Sequence, residues 1–273
     1  MRKLSELVVL IRSGGEVASA VAHRLYRAHF RVCLTEVNRP LAVSRGTAFS
    51  EAVFDGAKSI EGVTAVLTPL SLEAIQGVWQ AGKIPLLIDP QAGIKKLVQP
   101  DVLVDAIMAK KNTETKVTDA PLVIGMGPGF YAGRDVHLVV ETNHSNNLGR
   151  VIEVGEAEKD TGTPVEIAGL GKERVVWAPR AGIFRTEKEI GDSVVAGETV
   201  GWVDESPLGA SVSGMLRGLL RSGGPVPRGV KLIEVDPLND SSVCFVIRDK
   251  MRAIAGGVLE AILMRFNTGE GAC

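Results

Sequence analysis

The sequence predicts an α/β protein in which a parallel β-sheet is followed by a second, all-β domain. Three observations support this prediction. Apolar strand segments alternate with helical segments over residues 1–110, a glycine pair follows the first strand, and residues 178–204 recur 32 positions later as residues 210–236. Strands that alternate with helices along the chain pair in parallel and are covered on both faces.

Hydrophobic periodicity and turn residues define the elements of the first domain. The helices place apolar residues on one inner face, whereas the strands are short apolar runs bounded by turns. Ser71 is a predicted N-cap and Gly82 a predicted helix stop. The predicted strands are 4–11, 30–35, 64–67, 84–88, 101–108, 121–125 and 135–142, and the predicted helices are 16–29 and 71–81.

The repeated segment predicts a small barrel with two similar halves. Eight of its 27 aligned positions are identical without a gap, and three of these are glycines that suit turns with positive φ. Residues 178–236 resemble the biotinyl and lipoyl hammerhead domains, whose attachment hairpin carries a lysine. The equivalent residues 204–209 contain no lysine. We therefore expect a pseudo-symmetric barrel-sandwich repeat that carries no covalent biotin or lipoate and acts as a rigid docking module.

Changes in composition along the chain predict the domain boundaries. In the last segment we expect a strand near 243–247 and a helix near 249–266. Gly256 and Gly257 cost this helix roughly 1 kcal/mol each, which predicts that another backbone packs close to them. The predicted limits are a Rossmann-like domain at 1–145, a β barrel-sandwich domain at 146–240, and a C-terminal strand and helix packing across domains at 241–273.

Composition excludes several classes of function. The net charge is −1, aromatic residues make up 4% of the chain, and no basic run is present, so we expect no nucleic-acid partner. No apolar stretch approaches the roughly 20 residues of a membrane span, so we expect no membrane partner. Three cysteines are too few for a disulfide framework, which predicts a cytoplasmic protein. Composition leaves a homo-oligomer open.

The first candidate site is the turn after the first strand. Gly14 and Gly15 precede a predicted helix, and Glu36 ends the second predicted strand. In dinucleotide-binding folds such glycines let a pyrophosphate approach the helix N-terminus, and the acid binds the ribose hydroxyls. The motif is degenerate, since Ser13 stands in place of the first glycine. The sequence therefore leaves open a nucleotide site and a Rossmann-like turn that binds no nucleotide.

The second candidate site is a glycine-rich turn followed by a row of polar residues. Alternate glycines can expose backbone N–H groups as a nest for anions, and alternate residues of a strand share one face. We interpret the segment as a pocket for an anionic ligand, the alternative being a tight turn and a solvated edge strand. Its spacing matches no zinc signature, so no metal site is predicted. The candidate residues are Gly125, Gly127, Gly129, Arg134, Asp135, His137, Glu141 and Arg150.

These motifs resemble the YqeB-type accessory proteins of selenium-dependent molybdenum hydroxylases. The resemblance spans nearly the whole chain, and the N-terminal half is also similar to the Rossmann part of the xanthine dehydrogenase accessory family. It rests on Gly-x-Gly-Pro-Gly-Phe-x-Ala-Gly-x-Asp at 125–135, Glu-Thr at 141–142, Leu-Gly-Arg at 148–150, Thr-Gly at 161–162 and the barrel that follows.

The resemblance implies a role in cofactor maturation. Such a protein would bind a molybdopterin-type or other anionic cofactor intermediate, and its partners would be a molybdenum hydroxylase or other maturation proteins. The resemblance leaves open whether the chain is an enzyme. Two alternatives remain at this stage: an NAD(P)-dependent oxidoreductase that uses the Gly14 turn, and a non-catalytic scaffold with an inert pocket.

Overall fold

The computed structural model describes residues 3–267, so that Cys273 lies outside the described residues. The chain divides into two compact units. Unit 1 comprises Met1–Pro40, Phe49–Asp160 and Ile247–Cys273, and unit 2 comprises Leu41–Ala48 and Thr161–Val246. Residues 146–160, which the sequence assigns to the second domain, therefore lie in unit 1, as does the C-terminal helix.

Unit 1 is built on a nine-stranded mixed sheet and a two-stranded ribbon. The order across the sheet is β10-β9-β7-β6-β1-β2-β5-β4-β3, and β8 pairs with β11 in the ribbon. The strands are β1 (Val8–Arg12), β2 (Arg31–Glu36), β3 (Ala57–Ile60), β4 (Val63–Leu67), β5 (Ile84–Ile88), β6 (Val102–Asp105), β7 (Leu122–Met126), β8 (Tyr131–Ala132), β9 (Leu138–Val140), β10 (Val151–Ile152) and β11 (Gly155–Glu156).

The seven central strands of this sheet are parallel, and only the outermost strands β3 and β10 pair antiparallel. Five of them are buried along most of their length because helices cover both faces of a parallel sheet. The predicted α/β class is thus confirmed, with a mixed sheet in place of a purely parallel one.

The strand order reverses at β1, which pairs with β2 on one side and with β6 on the other. Ligands of open α/β sheets bind in the crevice outside the carboxyl ends of the strands at such a reversal. We call the residues that directly follow β1, β2, β5, β6, β7 and β9 the carboxyl edge. Arg12 and Asp105 are paired at the carboxyl ends of β1 and β6, where the crevice would open.

Five α-helices belong to unit 1 within residues 3–267. Helices α1 and α5 pack against each other, and Val21, Leu25, Ile254 and Val258 are buried in the same cluster. Ser71 Oγ accepts a hydrogen bond from Ala74 N, which confirms the predicted N-cap. No helix in the described part of the chain is long and apolar enough to span a membrane. The helices are α1 (Glu16–Arg27), α2 (Ala52–Asp55), α3 (Leu72–Gln80), α4 (Lys95–Val98) and α5 (Asp249–Phe266).

Some elements differ from the sequence predictions. The strand predicted at 135–142 is reduced to the three residues of β9, because residues 133–136 form a turn. The strand predicted near 243–247 is wrong, since Ser241–Cys244 is a 3-10 turn that begins where Asp240 accepts a hydrogen bond from Ser242 N. Strand β3 was not predicted, because its polar residues lie at an exposed edge of the sheet.

Unit 2 consists of two four-stranded antiparallel sheets, in the orders β12-β19-β17-β14 and β16-β15-β13-β18. The strands are β12 (Val175–Trp177), β13 (Gly182–Arg185), β14 (Ser193–Val194), β15 (Thr199–Val203), β16 (Ser206–Gly209), β17 (Gly214–Leu219), β18 (Gly224–Val226) and β19 (Lys231–Asp236).

The sequence repeat corresponds to repeated strands. Strands β13, β14 and β15 of the first half recur as β17, β18 and β19, and each half contributes its short middle strand to the sheet of the other half. Gly182 and Gly214 are equivalent, and a Cβ atom on either would lie 2.3 Å from an oxygen of the equivalent Asp204 or Asp236. The repeated glycines therefore allow a close approach in both halves, to the Asp204 carboxylate in the first and to the backbone oxygen of Asp236 in the second.

Candidate functional site

Gly14, Gly15 and Glu36 lie together at the carboxyl edge. Glu36 Oε2 accepts a hydrogen bond from Gly14 N at 2.7 Å, and Oε1 accepts one from Val37 N at 2.8 Å. Burial raises the pKa of Glu36, whereas these backbone hydrogen bonds lower it. The carboxylate is therefore bound to its own turn instead of being left for the hydroxyls of a ribose.

The backbone at Ser50 covers the glycine turn. Ser50 N donates to Gly14 O at 2.8 Å, and a Cβ atom on Gly14 would lie 2.9 Å from Ser50 N. Gly14 is thus required by the close approach of the chain to itself. Glu16 also places a carboxylate in the first turn of α1. Both features disfavour a dinucleotide pyrophosphate at this helix N-terminus.

Arg12, at the end of β1, is the buried cation beside the strand reversal. Its Nη1 donates to Asp105 Oδ2 at 2.9 Å, to Thr113 O at 2.9 Å and to Thr115 Oγ1 at 2.5 Å. Arg12 was not among the predicted site residues. The sequence nevertheless shows it as a charged residue at the end of an apolar strand, a position that indicates a site residue. It lines a cleft of about 450 Å³ together with Gln91, Lys95, Glu114, Lys116 and Asp119.

Unsatisfied polar atoms occur at Arg12, at Thr113, whose carbonyl oxygen accepts a bond from Arg12, and at Ser50, whose backbone contacts Gly14. Arg12 Nε, Ser50 Oγ and Thr113 Oγ1 are buried and have no hydrogen-bond partner within residues 3–267. Nearly all buried polar atoms of folded proteins are bonded to protein or ordered water. Each of these three atoms can donate a hydrogen bond. Water or a ligand rich in hydrogen-bond acceptors can therefore bind to them.

The three predicted nest glycines are explained by packing. A Cβ atom on Gly125 would lie 2.5 Å from the Phe130 ring, and one on Gly129 would lie 2.5 Å from the backbone N of Lys111. Gly127 N donates to Val140 O at 2.9 Å. The exposed amide that the nest hypothesis requires at Gly127 is therefore already used within the sheet, and the cofactor-binding role of these glycines stays a prediction.

Arg134 and Asp135 form a local turn at the end of the ribbon. Asp135 Oδ2 accepts a hydrogen bond from Tyr131 N at 2.9 Å, and Arg134 Nε donates to Asp135 Oδ1 at 3.0 Å. The hydrogen bond from Arg134 lowers the pKa of Asp135. The Arg134 guanidinium lies 4.6 Å from the centre of the Tyr131 ring. These contacts stabilise the turn, and they do not extend to Glu141.

His137 lies at the opposite end of β9 from Glu141. Its Nδ1 accepts a hydrogen bond from Val123 N at 3.0 Å, near the amino end of β7. Burial lowers the pKa of His137, and Arg265 lowers it further. The three residues of β9 separate His137 from Glu141, so the two are four positions, or roughly 13 Å, apart. The predicted polar row of Asp135, His137 and Glu141 therefore does not form one site.

Glu141 is a buried carboxylate at the carboxyl edge. It accepts hydrogen bonds of 2.7 Å from Thr142 N, Asn143 N and Glu158 N. Glu158 in turn accepts bonds from Asn143, Ser145 and Asn147, and the bonds from these side chains lower the pKa of Glu158. This network closes the loop between β9 and β11.

Arg150 lines a second cleft, of about 380 Å³, beside this loop. The four carboxylates and the single arginine of the lining suit a cation better than an anion, contrary to the predicted role of Arg150 on a phosphate. The charged lining residues are Glu141, Arg150, Glu153, Glu156 and Glu158.

Lys250 is a further charged residue that was not among the predicted site residues. It is the second residue of α5 and is half-buried. Burial lowers the pKa of Lys250, whereas the carboxylates of Glu16, Glu141 and Asp160 raise it. These groups come from distant parts of the sequence, so no local motif could reveal that their charges act on Lys250. Within the described residues, no three His, Cys, Asp or Glu side chains are grouped to hold a metal ion.

The chain is similar to a protein of Escherichia coli (strain K12) named uncharacterized protein YqeB. The two are 43% identical over 265 residues, which is 97% of this chain but 49% of that protein. The chain therefore spans about half the length of the curated relative that it matches. No protein-family model matches the chain.

Two solved structures give weak structural matches. The product-bound ectoine utilization protein EutE (DoeB) from Ruegeria pomeroyi gives a TM-score of 0.26 at 13% identity, covering 84% of this chain and 85% of the other. A succinylglutamatedesuccinylase/aspartoacylase from Rhodobacter sphaeroides gives 0.25 at 18% identity, covering 86% and 87%. Scores of this size carry no conclusion about the fold or the function of this chain.

Proposed function

We propose, from the similarity to YqeB along 97% of the chain, that this protein is an accessory factor in the maturation of a selenium-dependent molybdenum hydroxylase. The named relative is uncharacterized, so the support for the pathway is the motif resemblance between residues 125 and 162. In this role the protein binds a molybdopterin-type or other anionic cofactor intermediate and passes it to the hydroxylase or to another maturation protein.

One observation carries the ligand-binding part of the proposal: the cleft of about 450 Å³ that Arg12 lines at the strand reversal. Arg12, Lys95 and Lys116 give it three cations against the carboxylates of Glu114 and Asp119. Lys95 Nζ is held by Asp119 Oδ1 at 2.7 Å, which fixes one ammonium group at the cleft wall. Lysine serves phosphate groups as a point charge, so a phosphorylated pterin suits this lining better than the acidic cleft beside Arg150.

We propose a separate role for unit 2. Its two sheets exchange their short middle strands, which agrees with a barrel-sandwich repeat of the hammerhead type. The hairpin between β15 and β16 turns through Asp204 and Glu205, where a carrier domain presents its lysine. This turn offers no amine for an amide to a cofactor, and the unit serves as a docking module for a partner protein.

The proposal is tested in cells and in vitro. A selenium-dependent hydroxylase is produced with and without this chain, and its activity and its molybdenum and selenium content are compared. We expect active, selenium-loaded hydroxylase only with the chain present. Full hydroxylase activity without the chain would contradict the proposed pathway.

Binding is tested by calorimetry with a phosphorylated pterin and with its dephosphorylated form. We expect only the phosphorylated form to bind, and we expect Lys116→Ala to weaken this binding roughly ten-fold through the loss of one charge contact. Lys96→Ala is the matched control, because Lys96 is an exposed lysine of α4 outside the cleft. Equal effects of the two variants would reject the cleft as the binding site.

A further inference from the structure

Arg12 is fixed at the strand reversal by one nitrogen of its guanidinium. Nη1 donates to Asp105, to Thr113 O and to Thr115 at 2.5 to 2.9 Å. Nε has no partner in the described part of the chain, and Nη2 reaches only Pro90 O at 3.5 Å. Nε and Nη2 form the side edge of the guanidinium, where arginine presents two parallel N–H donors. This pair of donors is therefore left open at a side chain that lines the cleft.

Asp105 neutralises the charge of Arg12. The two side chains are 2.9 Å apart and only 2% and 7% exposed for Asp105 and Arg12 respectively. Thr115 Oγ1 donates to Asp105 Oδ2 at 2.5 Å, and Ile107 N donates to Oδ1 at 3.2 Å. The carboxylate is thus used within the protein. The open edge of Arg12 belongs to a neutral pair, so it suits a hydrogen-bond acceptor that carries no charge of its own.

Glu114 brings an open carboxylate to the same cleft. It is exposed and forms no hydrogen bond or ion pair with any residue that the structure describes. It directly follows Thr113, whose carbonyl oxygen is bound to Arg12. The backbone of Glu114 is left-handed, with φ +72°, and non-glycine residues in this strained region cluster at ligand clamps.

Asn112 holds the backbone of Glu114 in this conformation. Its Oδ1 accepts a hydrogen bond from Thr115 N and its Nδ2 donates to Thr115 O, both at 2.8 Å. The side chain of one residue thus closes the turn that carries Glu114. The carboxylate is therefore presented to the cleft by a fixed turn, next to the residue that binds Arg12.

The two open groups have opposite hydrogen-bonding character. A phosphate or carboxylate group would use the donors of Arg12, but the charge of Glu114 would repel it. A ring with two acceptors on one edge and two donors on another edge would use both groups. Guanine has this pattern: O6 and N7 are the acceptors that arginine binds bidentately in DNA, and N1–H and the 2-amino group are donors that one carboxylate can accept. An oxidised pterin shares it, with O4 and N5 as acceptors and N3–H and the 2-amino group as donors.

We propose that Arg12 and Glu114 recognise a 2-amino-oxo ring, a guanine or an oxidised pterin, in the cleft at the strand reversal. Arg12 donates through Nε and Nη2 to the oxo group and the adjacent ring nitrogen. Glu114 accepts from the ring N–H and the amino group. Adenine is rejected, because its exocyclic amino group would face the donors of Arg12. The inference rests on the proposed function for the cleft and its phosphate contacts, and it adds the residues that select the ring.

Calorimetry with nucleoside monophosphates tests the recognition of the ring. GMP, 7-deaza-GMP and AMP share the ribose phosphate, so differences between them report on the ring alone. We expect AMP to bind at least ten-fold more weakly than GMP, and 7-deaza-GMP, which lacks the N7 acceptor, roughly five-fold more weakly. A second arm compares 6-hydroxymethylpterin phosphate with its 5-deaza analogue, which lacks N5. The arm that shows the loss of affinity identifies the ring, and no loss in either arm would overturn the inference.

Variants of the two residues test their roles with the ring that binds. Arg12→Lys keeps a cation beside Asp105 but has no side edge, so it should bind the ring and its deaza analogue equally. Glu114→Gln should weaken binding of the ring roughly ten-fold through loss of a charged acceptor. Glu73→Gln is the matched control, since Glu73 is an exposed glutamate of α3 outside the cleft.

Circular dichroism shows whether each variant is folded. Glu114 has no partner in the described chain, so Glu114→Gln should fold even if Arg12→Lys does not. An unchanged affinity of folded Glu114→Gln, or an effect equal to that of Glu73→Gln, would overturn the inference without any result from Arg12→Lys.

The experiments distinguish failure of this inference from failure of the proposed function. Phosphorylated pterin that binds through Lys116 but as tightly as its deaza analogue, together with equal binding of GMP and AMP, would reject the ring recognition alone. Preference for GMP over 7-deaza-GMP, together with full hydroxylase activity in cells without the chain, would reject the proposed function alone.

Discussion

The carbonyl oxygen of Gly149 lies against Gly257 so closely that a Cβ atom on Gly257 would be 2.0 Å from it. The approach is also close from the side of Gly149, because a Cβ atom there would lie 2.7 Å from the carbonyl oxygen of Ala253, one turn before Gly257 in α5. Helix α5 is thus held against the loop that follows Glu141 by two glycines that face each other.

We expect Gly257→Ala to destabilise unit 1 by about 3 kcal/mol, since a methyl group at this contact must push two backbones apart. Gly256→Ala is the matched control. Its Cβ atom would meet nothing closer than Arg24 Nη1 at 3.7 Å, so the gain in helix propensity, about 1 kcal/mol, should stabilise the protein. Urea unfolding followed by circular dichroism would show shifts of opposite sign. Equal shifts would show that the close contact does not hold in solution.

The C-terminal helix shows what the sequence could predict. Apolar periodicity gave its limits of 249–266, and the two mid-helix glycines indicated the close backbone that Gly149 supplies. For the glycines at 125, 127 and 129 the sequence predicts a role in binding, but it does not tell whether an amide such as that of Gly127 is exposed or bonded within a sheet. Arg12 was visible in the sequence as a charge at the end of an apolar strand. Its partners Asp105 and Thr115 lie far along the chain, and only the fold brings them to it.

Replacement of Gly127 should lower the stability of the folded chain, whether or not a ligand is present. Gly127 has φ +70°, and a Cβ atom there would lie 2.3 Å from Thr142 Oγ1. We expect Gly127→Ala to cost about 1 kcal/mol for the left-handed backbone and about 1–3 kcal/mol more for the clash. Gly133→Ala, at φ +84° with its nearest neighbour at 3.9 Å, should carry the backbone cost alone.

The clash at Gly127 can be removed separately. In a Thr142→Ala background Thr142 Oγ1 is absent, so that Gly127→Ala should cost no more than Gly133→Ala does. A double-mutant cycle by urea unfolding measures this difference. If Gly127→Ala cost as much in the Thr142→Ala background as in the unmodified chain, the contact with Thr142 Oγ1 would not be the cause of the destabilisation.

Nicotinamide cofactors should not bind at the Gly14 turn. The Gly14 and Val37 amides already donate to the Glu36 carboxylate, and Ser50 N donates to Gly14 O. A dinucleotide would have to break these bonds to reach the turn. Calorimetric titration with NAD(H) and NADP(H) should therefore show no saturable binding at micromolar concentrations. Micromolar binding that Glu36→Ala abolishes would restore the oxidoreductase alternative.

Glu234 in unit 2 should make stability depend on pH in the acid range. Burial raises the pKa of Glu234, but Lys231 and Arg174 outweigh this effect and lower it to about 2. The Arg174 guanidinium, itself buried, donates to Glu234 Oε1 at 2.6 Å. Because the folded pKa lies below the unfolded value near 4.3, the ion pair stabilises the folded state above that value. This stabilisation is lost as the pH falls toward about 2.

Glu234→Gln should therefore destabilise unit 2 by about 3 kcal/mol at pH 7, where it leaves Arg174 as a buried charge without its carboxylate. The difference from the unmodified chain should shrink as the pH falls from 5 to 3, because the unfolded chain then takes up a proton at Glu234 that the folded chain does not. Fluorescence of Trp177 and Trp202 in a Trp79→Phe background reports on unit 2.

Glu205→Gln, at the exposed β15–β16 turn, is the control and should change stability little at any pH. A destabilisation by Glu234→Gln that stayed constant from pH 7 to 3 would mean that packing of the side chain, and not its charge, holds Arg174 in place.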